Sequence, residues 1–222
     1  MSYASYLTPS TNLQLLKDQV KKYHESGAYN FDLEQISDKA KTYLAQVITK
    51  NKTLEEPQKL AIVLDIDETA LSGYKYSKKY GFGGTSEMYG KSFLNADSPA
   101  IKPTLDLYKY AINNNVTVFF ITGRAEEYRN ATVENLSKVG YVTAKEQIKN
   151  CESQPFSGDC TVYLCDKPYL NTSAMVYKTE MRKRIEEAGY TIVENIGDQY
   201  SDLDGGYSLR TFKYPNYMYY VP

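Results

Sequence analysis

Two aspartates that follow an apolar run are the first residues in the chain whose types and spacing could do chemistry. The run at residues 60–64 predicts a strand buried on both faces, and Asp65 and Asp67 come directly after it. Side chains two residues apart in an extended chain point the same way, so the two carboxyl groups face one site. One carboxylate can attack phosphorus, and the other can protonate the leaving alkoxide and later deprotonate a water. Taken alone, the pair is equally compatible with acids that merely cap a strand.

A threonine and a glycine later in the chain could hold a phosphoryl group. A second apolar, β-branched run at 116–121 predicts another buried strand, and Thr122 and Gly123 follow it. The Thr122 hydroxyl and the next backbone N–H can bind a phosphoryl oxygen, and Gly123 lets the backbone approach closely. On their own these two residues also fit an ordinary turn. Lys178, among the charges of a predicted helix, fits a solvated surface and becomes a candidate only as part of the whole pattern.

Two acids after the predicted strand at 191–196 indicate a metal site. Asp198 and Asp202 are four residues apart, so they share one side of a helical turn. Mg²⁺ prefers carboxylate, carbonyl and water oxygens, which Asp198, Asp65 and the carbonyl of Asp67 could provide at neighbouring strand ends. The cation would screen the repulsion between an anionic nucleophile and an anionic phosphate. The alternative is an acidic loop that binds nothing.

The elements that must position these residues alternate between strand and helix from residue 59 onward. Such alternation predicts an α/β fold in which a parallel sheet is flanked by helices on both faces, with ligands at the carboxyl ends of the strands. The predicted strands are 59–64, 116–121, 161–165 and 191–196, and the predicted helices between them are 103–112, 126–139 and 175–188. Two amphipathic helices precede them and are expected to pack on the core, the second capped by Asp32 and Gln35.

Composition and charge exclude several classes of protein. The chain has 222 residues, 42% of them apolar, which suffices for one globular domain with a core. Lys and Arg number 26 and Asp and Glu number 27, so the net charge is −1. Without a basic face, the protein is not expected to bind nucleic acid. The longest aliphatic runs are far shorter than the roughly 18 residues that a membrane span requires.

The few histidines and cysteines exclude two further chemistries. The single histidine, His24, excludes a zinc site built on several histidines and is expected to be a solvated helix residue. No cysteine has an arginine six positions later, which excludes cysteine-phosphatase chemistry. Cys151 and Cys160 enclose a polar, turn-rich loop and are predicted to form a disulfide. Cys165, late in an apolar strand, is predicted to be a buried free thiol.

The motifs in this order resemble those of the haloacid dehalogenase (HAD) superfamily. They are residues 65–69 (DIDET), Thr122, Lys178 and residues 197–202 (GDQYSD). The residues in and around these motifs are more similar still to the class B-type acid phosphatase branch, which includes plant vegetative storage proteins. The similarity runs from about Leu60 to the end of the sequence. One departure is Tyr217, where that branch would be expected to have proline.

The resemblance assigns the nucleophile to Asp65 and the general acid and base to Asp67. It further implies phosphoryl binding by Thr122 and Lys178, with Lys178 also offsetting the charge on Asp65. Mg²⁺ would be bound by Asp198 together with Asp65 and Asp67, and Asp202 would either bind the ion or support the residues that do. It also implies a Rossmann-like core with a small cap built partly from the N-terminal helices. We therefore predict one domain over 1–222, with a helical part at 1–58 that contributes to the cap, a core at 59–222 and a cap insertion at 74–103.

The predicted activity is the Mg²⁺-dependent hydrolysis of phosphate monoesters through an aspartyl-phosphate, as in acid phosphatases. Two alternatives use the same fold: a catalytically weak storage or binding protein, and a phosphotransferase. A storage protein of this branch would be expected to lack the nucleophile, which this chain retains as Asp65. Phosphotransfer to an alcohol requires the same residues as hydrolysis, whereas dehalogenation would leave Asp67 and Asp198 without a task.

A small phosphate monoester is the predicted partner, and the aromatic residues of the segment 74–103 favour a nucleotide or an aryl phosphate. One or two of these rings are expected to stack on a flat leaving group, and simple packing of the cap is the alternative. The rings are those of Tyr74, Tyr76, Tyr80, Phe82, Tyr89 and Phe93.

The start of the chain and its cysteines bear on location. Residues 1–6 lack the basic start and the apolar stretch of a signal peptide, which fits either a cytosolic protein or the mature form of an exported one. The predicted disulfide favours a periplasmic or secreted location, since such bonds persist in oxidising compartments.

Overall fold

A parallel β-sheet lies at the centre of the molecule. The computed structural model describes residues 12–141, 160–166 and 168–221, and within these ranges the sheet has five strands. They are β1 (Lys59–Leu64), β2 (Thr117–Ala125), β3 (Val162–Cys165), β4 (Tyr190–Gly197) and β5 (Thr211–Lys213). Their order across the sheet is β3-β2-β1-β4-β5, and every neighbouring pair is parallel.

The central strand β1 explains why the sheet needs cover on both faces. Ile62 and Leu64 belong to one buried apolar cluster, and Ala61 and Val63 belong to another. Strand β2 pairs with one edge of β1 and β4 with the other, so the order of strands reverses beside β1. In open α/β sheets ligands bind at this point of reversal, outside the carboxyl ends of the strands.

Helices cover both faces of the sheet. The described helices of four residues or more are α1 (Leu13–Glu25), α2 (Ala28–Asn51), α3 (Tyr74–Lys79), α4 (Ser86–Phe93), α5 (Lys102–Asn113), α6 (Arg129–Lys138), α7 (Ala174–Glu187) and α8 (Tyr200–Leu203). The buried residues of α2, α5 and α6 join the cluster that contains Ile62, and those of α7 join the cluster that contains Val63. The predicted α/β fold with a flanked parallel sheet is confirmed. No helix in the described ranges is long and apolar enough to cross a bilayer.

The capping box predicted for the second helix is wrong. Helix α2 begins at Ala28, and its N-cap is Gly27, whose φ of 88° lies in the left-handed region that glycine adopts easily. Asp32 lies inside the helix, where its carboxylate accepts a hydrogen bond from the Tyr23 hydroxyl at 2.5 Å. The Asp32 side chain, which the sequence pattern assigned to a helix cap, therefore joins α2 to α1.

The first helix packs on the core only through the C-terminal part of its predicted apolar face. Tyr23 is half-buried against the main core cluster, whereas Leu13, Leu15 and Leu16 are exposed. The end of the helix also contacts α3, because Glu25 accepts hydrogen bonds from Tyr74 at 2.8 Å and from Lys78 at 2.5 Å. The division of the chain into a core and a cap stays a prediction.

His24 is not the solvated residue that the sequence predicts. Its ring is half-buried and stacks on Tyr74, with ring centroids 3.5 Å apart and planes within 9° of parallel. Its Nδ1 atom is hydrogen-bonded to the hydroxyl of Tyr217, the residue at which the family pattern would have proline. An aromatic ring at position 217 thus links the C-terminal segment to α1.

The predictions for the cysteines are covered only in part by the structure. Cys165 is a free, buried cysteine, as predicted. Cys160 is disulfide-bonded. Cys151 lies outside the described residues, so its pairing with Cys160 stays a prediction.

Candidate active site

A cavity of about 380 Å³ opens where β1, β2 and β4 end. The segment between β1 and α5 and the segment after β5 supply aromatic and apolar residues to its walls, namely Tyr76, Tyr89, Phe93, Tyr219 and Val221. All seven site residues predicted from the sequence line this cavity: Asp65, Asp67, Thr122, Gly123, Lys178, Asp198 and Asp202. The structure therefore brings together four separate parts of the chain, because each of them follows a strand of one sheet or lies on the helix α7 beside it.

Asp65 occupies the first position after β1. Its backbone N–H donates to the carbonyl oxygen of Ile196 at 3.0 Å, which prolongs the pairing with β4 by one residue. Only 5% of the residue is exposed. Burial raises the pKa of Asp65, the ammonium group of Lys178 opposes the rise, and the neighbouring carboxylates add to it.

Lys178 connects Asp65 to a second carboxylate. Its Nζ atom donates to Asp65 Oδ1 at 2.5 Å and to Asp202 Oδ1 at 2.6 Å. Burial lowers the pKa of Lys178, but the carboxylates of Asp202 and Asp65 raise it by more, so the side chain stays cationic. Lys178 is buried in helix α7, and it is not the solvated surface residue that its charged sequence neighbours suggest.

Three carboxyl groups form a compact cluster at the ends of β1 and β4. Asp65, Asp198 and Asp202 are buried and can each offer one oxygen, with all three oxygens within 4.8 Å of one another. Hard oxygen donors at this spacing fit a divalent cation such as Mg²⁺. The Asp67 carboxylate is not part of this cluster, so Asp67 could contribute to such a site only through its main chain, as the sequence analysis expects.

The loop after β4 is shaped to bring Asp202 back to the sheet. A Cβ atom at Gly197 would collide with the Asp202 side chain, so only glycine fits at the end of β4. Asp202 Oδ2 accepts from the backbone N–H of Gln199 at 2.8 Å, which fixes the turn. Burial and the nearby Asp202 carboxylate raise the pKa of Asp198 to about 6, against hydrogen bonds from Asn216 and Gln199 that lower it.

Thr122 and Gly123 lie on β2, which continues to Ala125 instead of ending at residue 121. The pairing of β2 with β3 shifts register between Thr122 and Ala125. The Thr122 hydroxyl accepts from the backbone N–H of Arg124 at 3.2 Å, which leaves its own proton available for an acceptor in the cavity. A Cβ atom built at Gly123 would meet no protein atom within 4 Å, so the backbone there faces open space.

Arg124 is a site residue to which the sequence analysis gave no role. Its guanidinium donates to Asp67 Oδ2 at 2.9 Å and to Asp67 Oδ1 at 2.7 Å, a two-point ion pair that fixes the orientation of the carboxylate. The same group donates to the Thr132 hydroxyl at 3.1 Å and lies over the ring of Phe93, 3.9 Å from its centroid. Its position two residues after Thr122 on an extended chain was a usable signal, since the two side chains then share one face.

Comparisons with known proteins agree with this fold and site. The family model for HAD superfamily, subfamily IIIB (acid phosphatase), matches residues 7–222. The chain is 32% identical to acid phosphatase 1 of Solanum lycopersicum over 92% of its own length and 74% of that protein. It is 30% identical to vegetative storage protein 2 of Arabidopsis thaliana over 93% of its own length and 72% of that protein.

A solved structure has the same fold. The class C acid phosphatase from Bacillus anthracis matches with a TM-score of 0.70 at 22% identity, over 93% of this chain and 87% of that one. From the family match, the chain belongs to subfamily IIIB of the HAD superfamily, a family of acid phosphatases. The family and the class of phosphomonoesterase predicted from the sequence are confirmed at this level.

Proposed function

We propose that this protein hydrolyses small phosphate monoesters in a Mg²⁺-dependent reaction that passes through an aspartyl-phosphate on Asp65. The observation that carries the proposal is the buried carboxyl of Asp65, which is hydrogen-bonded to Lys178 at 2.5 Å. Asp67, two residues later, lines the same cavity. A nucleophile held beside a cation, with a second carboxyl at hand, is the arrangement that covalent phosphoryl transfer requires.

In the first half of the reaction, a carboxylate oxygen of Asp65 attacks phosphorus as the bond to the ester oxygen breaks. Asp67 gives its proton to the departing alkoxide, so the products of this half are the alcohol and a phosphorylated Asp65. The ammonium group of Lys178, the hydroxyl of Thr122 and the backbone at Gly123 bind the phosphoryl oxygens and offset their charge. Arg124 fixes the orientation of the Asp67 carboxyl in the cavity through its two hydrogen bonds.

In the second half, Asp67 is a carboxylate and takes a proton from a water. The water oxygen attacks phosphorus, the bond to Asp65 breaks, and inorganic phosphate leaves. Transfer to an alcohol in place of water would use the same groups, so phosphotransfer stays an alternative outcome of the same phosphorylated intermediate.

The charges around the cavity support a divalent cation as cofactor. Five carboxyl groups from the described residues line it, against two cationic side chains, those of Lys178 and Arg124. Asp65, Asp198 and Asp202 would hold Mg²⁺, with the Asp67 carbonyl as a further donor. Bound there, the cation would screen the repulsion between the anionic nucleophile and the anionic phosphate.

The walls of the cavity support a leaving group with a flat ring. Of the six aromatic residues singled out in the sequence, three line the cavity, namely Tyr76, Tyr89 and Phe93. Tyr74 instead stacks on His24. We propose a nucleotide or an aryl phosphate as substrate, with Tyr89 or Tyr76 stacking on the ring, because Phe93 already packs against Arg124.

An oxidising location outside the cytoplasm is proposed on the basis of one bond. Cys160 is disulfide-bonded, and structural disulfides persist in the periplasm or after secretion. The number of free thiols under non-reducing conditions checks the disulfide bond on which this proposal rests.

The second candidate function is that of a storage protein with little activity, which the similarity to vegetative storage protein 2 supports. The two candidates are separated by the substitution Asp65→Asn, which keeps the shape of the side chain and removes its attacking charge. We expect kcat on an aryl phosphate to fall by about a thousandfold or more. Asp38→Asn, an exposed aspartate on α2, is the matched control and should be as active as the wild type.

Trapping gives the second arm of the experiment. Acid quenching during turnover, followed by peptide mass spectrometry, should find phosphate on Asp65 in the wild type. Chelation should abolish turnover and added Mg²⁺ should restore it. A wild-type protein that is inactive on a broad panel of monoesters with Mg²⁺ would favour the storage function, and an active Asp65→Asn variant would refute the mechanism.

A further inference from the structure

The carboxylate of Asp198 is held on one oxygen by two side-chain amides. Asn216 Nδ2 donates to Asp198 Oδ2 at 2.6 Å, and Gln199 Nε2 donates to the same oxygen at 2.7 Å. The other oxygen, Oδ1, accepts from the Thr69 hydroxyl at 3.2 Å. Asp198 is 1% exposed, so these neighbours define the direction in which the carboxylate points.

Both amides are tied at their other end to the segment after β5. Asn216 Oδ1 accepts from the backbone N–H groups of Met218 at 2.8 Å and Tyr219 at 3.1 Å. Gln199 Oε1 accepts from the N–H of Val221 at 3.1 Å. In each side chain, the amide oxygen therefore accepts from the backbone of residues 218–221 and the amide nitrogen donates to Asp198.

The same segment is fixed to the end of β4 by its own backbone. The N–H of Tyr214 donates to the carbonyl oxygen of Gly197 at 2.8 Å. At the end of β5 itself, Lys213 Nζ donates to the carbonyl oxygen of Asp198. Strand β5 and the segment after it thus contact both the main chain and the side chain of Asp198.

The chemistry of these donors suits a carboxylate that binds a cation. An amide N–H is neutral, so it orients the Asp198 carboxylate without cancelling the charge that attracts the metal. Partners of this kind fix the direction of metal-binding groups, and losing one costs typically 10–100-fold in affinity.

We propose that Asn216 is a positioning residue for the cation site, and that the segment after β5 is part of that site. The inference rests on the proposed function, because it takes Asp198 to bind a divalent cation. Asn216 acts through Asp198 and through the turn at residues 218 and 219, and it does not touch the reacting atoms.

The experiment measures cation binding without turnover. Mn²⁺ is titrated into the protein in the absence of substrate, and free Mn²⁺ is followed by electron paramagnetic resonance. We expect Asn216→Ala to raise the Mn²⁺ dissociation constant by about 10–100-fold. The apparent Mg²⁺ constant for activity should rise by a similar factor, while kcat at saturating Mg²⁺ should change far less. Gln199→Ala removes the other donor and should weaken Mn²⁺ binding independently.

The matched control is Asn51→Ala at the opposite end of the sheet. Asn51 also makes two side-chain bonds to backbone, since it donates to the carbonyl oxygen of Gln58 at 3.0 Å and accepts from its N–H at 2.9 Å. This variant should lose thermal stability and bind Mn²⁺ like the wild type.

The outcomes separate the inference from the proposed function. If Asn216→Ala and Gln199→Ala both bind Mn²⁺ within twofold of the wild type, the positioning role is refuted and the metal-dependent function stands. If the wild type itself binds no Mn²⁺ or Mg²⁺, the proposed metal dependence fails, and the role of Asn216 fails with it.

Discussion

Glu194, in strand β4, is a fully buried carboxyl group, and neither of its oxygens has a hydrogen-bond partner in the described parts of the chain. Burial raises its pKa from the ordinary value of 4.5 to about 8, against a smaller opposing effect of Arg210. The folded protein therefore holds a proton on Glu194 at a pH where the unfolded chain has lost it. Unfolding releases that proton between pH 4.5 and about 8.

The sign and the size of the effect follow from this difference. Stability from Glu194 is fully present below the unfolded pKa of 4.5 and is lost as the pH rises through about 8. Since one pKa unit is worth about 1.4 kcal/mol, the loss between pH 5 and pH 9 is about 4 kcal/mol of unfolding free energy. That is a large part of the roughly 5–15 kcal/mol that stabilises an ordinary domain.

The substitution Glu194→Gln keeps the size of the side chain and removes the titration. Urea unfolding followed by circular dichroism at several pH values, without divalent cation, gives the unfolding free energy of each protein. The difference between wild type and Glu194→Gln should fall by about 4 kcal/mol from pH 5 to pH 9. Glu56→Gln, at an exposed position, is the control and should follow the wild type throughout. A wild-type minus variant difference that is the same at pH 5 and pH 9 would refute the assignment.

Three other predictions concern the site and the cysteines. Asp67→Asn should lower kcat far less for aryl phosphates than for alkyl phosphates, because only a poor leaving group needs a proton from Asp67. Equal losses of kcat on both in steady-state assays would argue against Asp67 as the general acid. Tyr89→Ala should raise KM for aryl phosphates by about 5–150-fold, as expected for a lost stacking contact of about 1–3 kcal/mol, and leave KM for alkyl phosphates nearly unchanged. Phe82 does not line the cavity, so the control variant Phe82→Ala should leave KM for both kinds of substrate unchanged. Loss of activity on aryl and alkyl phosphates alike in Tyr89→Ala would show that the Tyr89 ring is structural. Intact mass after alkylation under non-reducing, denaturing conditions should show one reactive thiol, that of Cys165; three would exclude the disulfide.

The placement of the carboxylates could be predicted from the sequence because it depends on strand ends alone. The buried apolar run predicts the strand, and Asp65 and Asp67 directly after it lie at the carboxyl end of that strand. The same argument applies to Asp198 after β4, and parallel strands bring their carboxyl ends to one edge. Nothing beyond local pattern and the geometry of a parallel sheet is needed for this part of the site.

The remaining contacts depend on tertiary structure that no local pattern encodes. Helices α3 and α4 have six and eight residues, too few turns for a clear helical period, so the segment 74–103 gave no sign of them. The bond from Asn216 to Asp198 exists only because the segment after β5 returns across the end of β4. Asp32 was misassigned for the same reason, since a capping pattern cannot reveal that a tyrosine of another helix will use its carboxylate.

The central position of β1 has a consequence for how the chain folds. Lys59 pairs with Tyr190, more than a hundred residues later, so the contact that brings Asp65 to Asp198 is among the most distant along the sequence. Distant pairings form slowly, because the entropy of closing a long loop is lost before the contact stabilises the chain. Until β4 docks, β1 has one open hydrogen-bonding edge on an almost wholly apolar strand, which is the kind of edge that joins other chains. The cluster of Asp65, Asp198 and Asp202 is therefore complete only once β4 has paired with β1, because two of its three carboxyl groups follow β4.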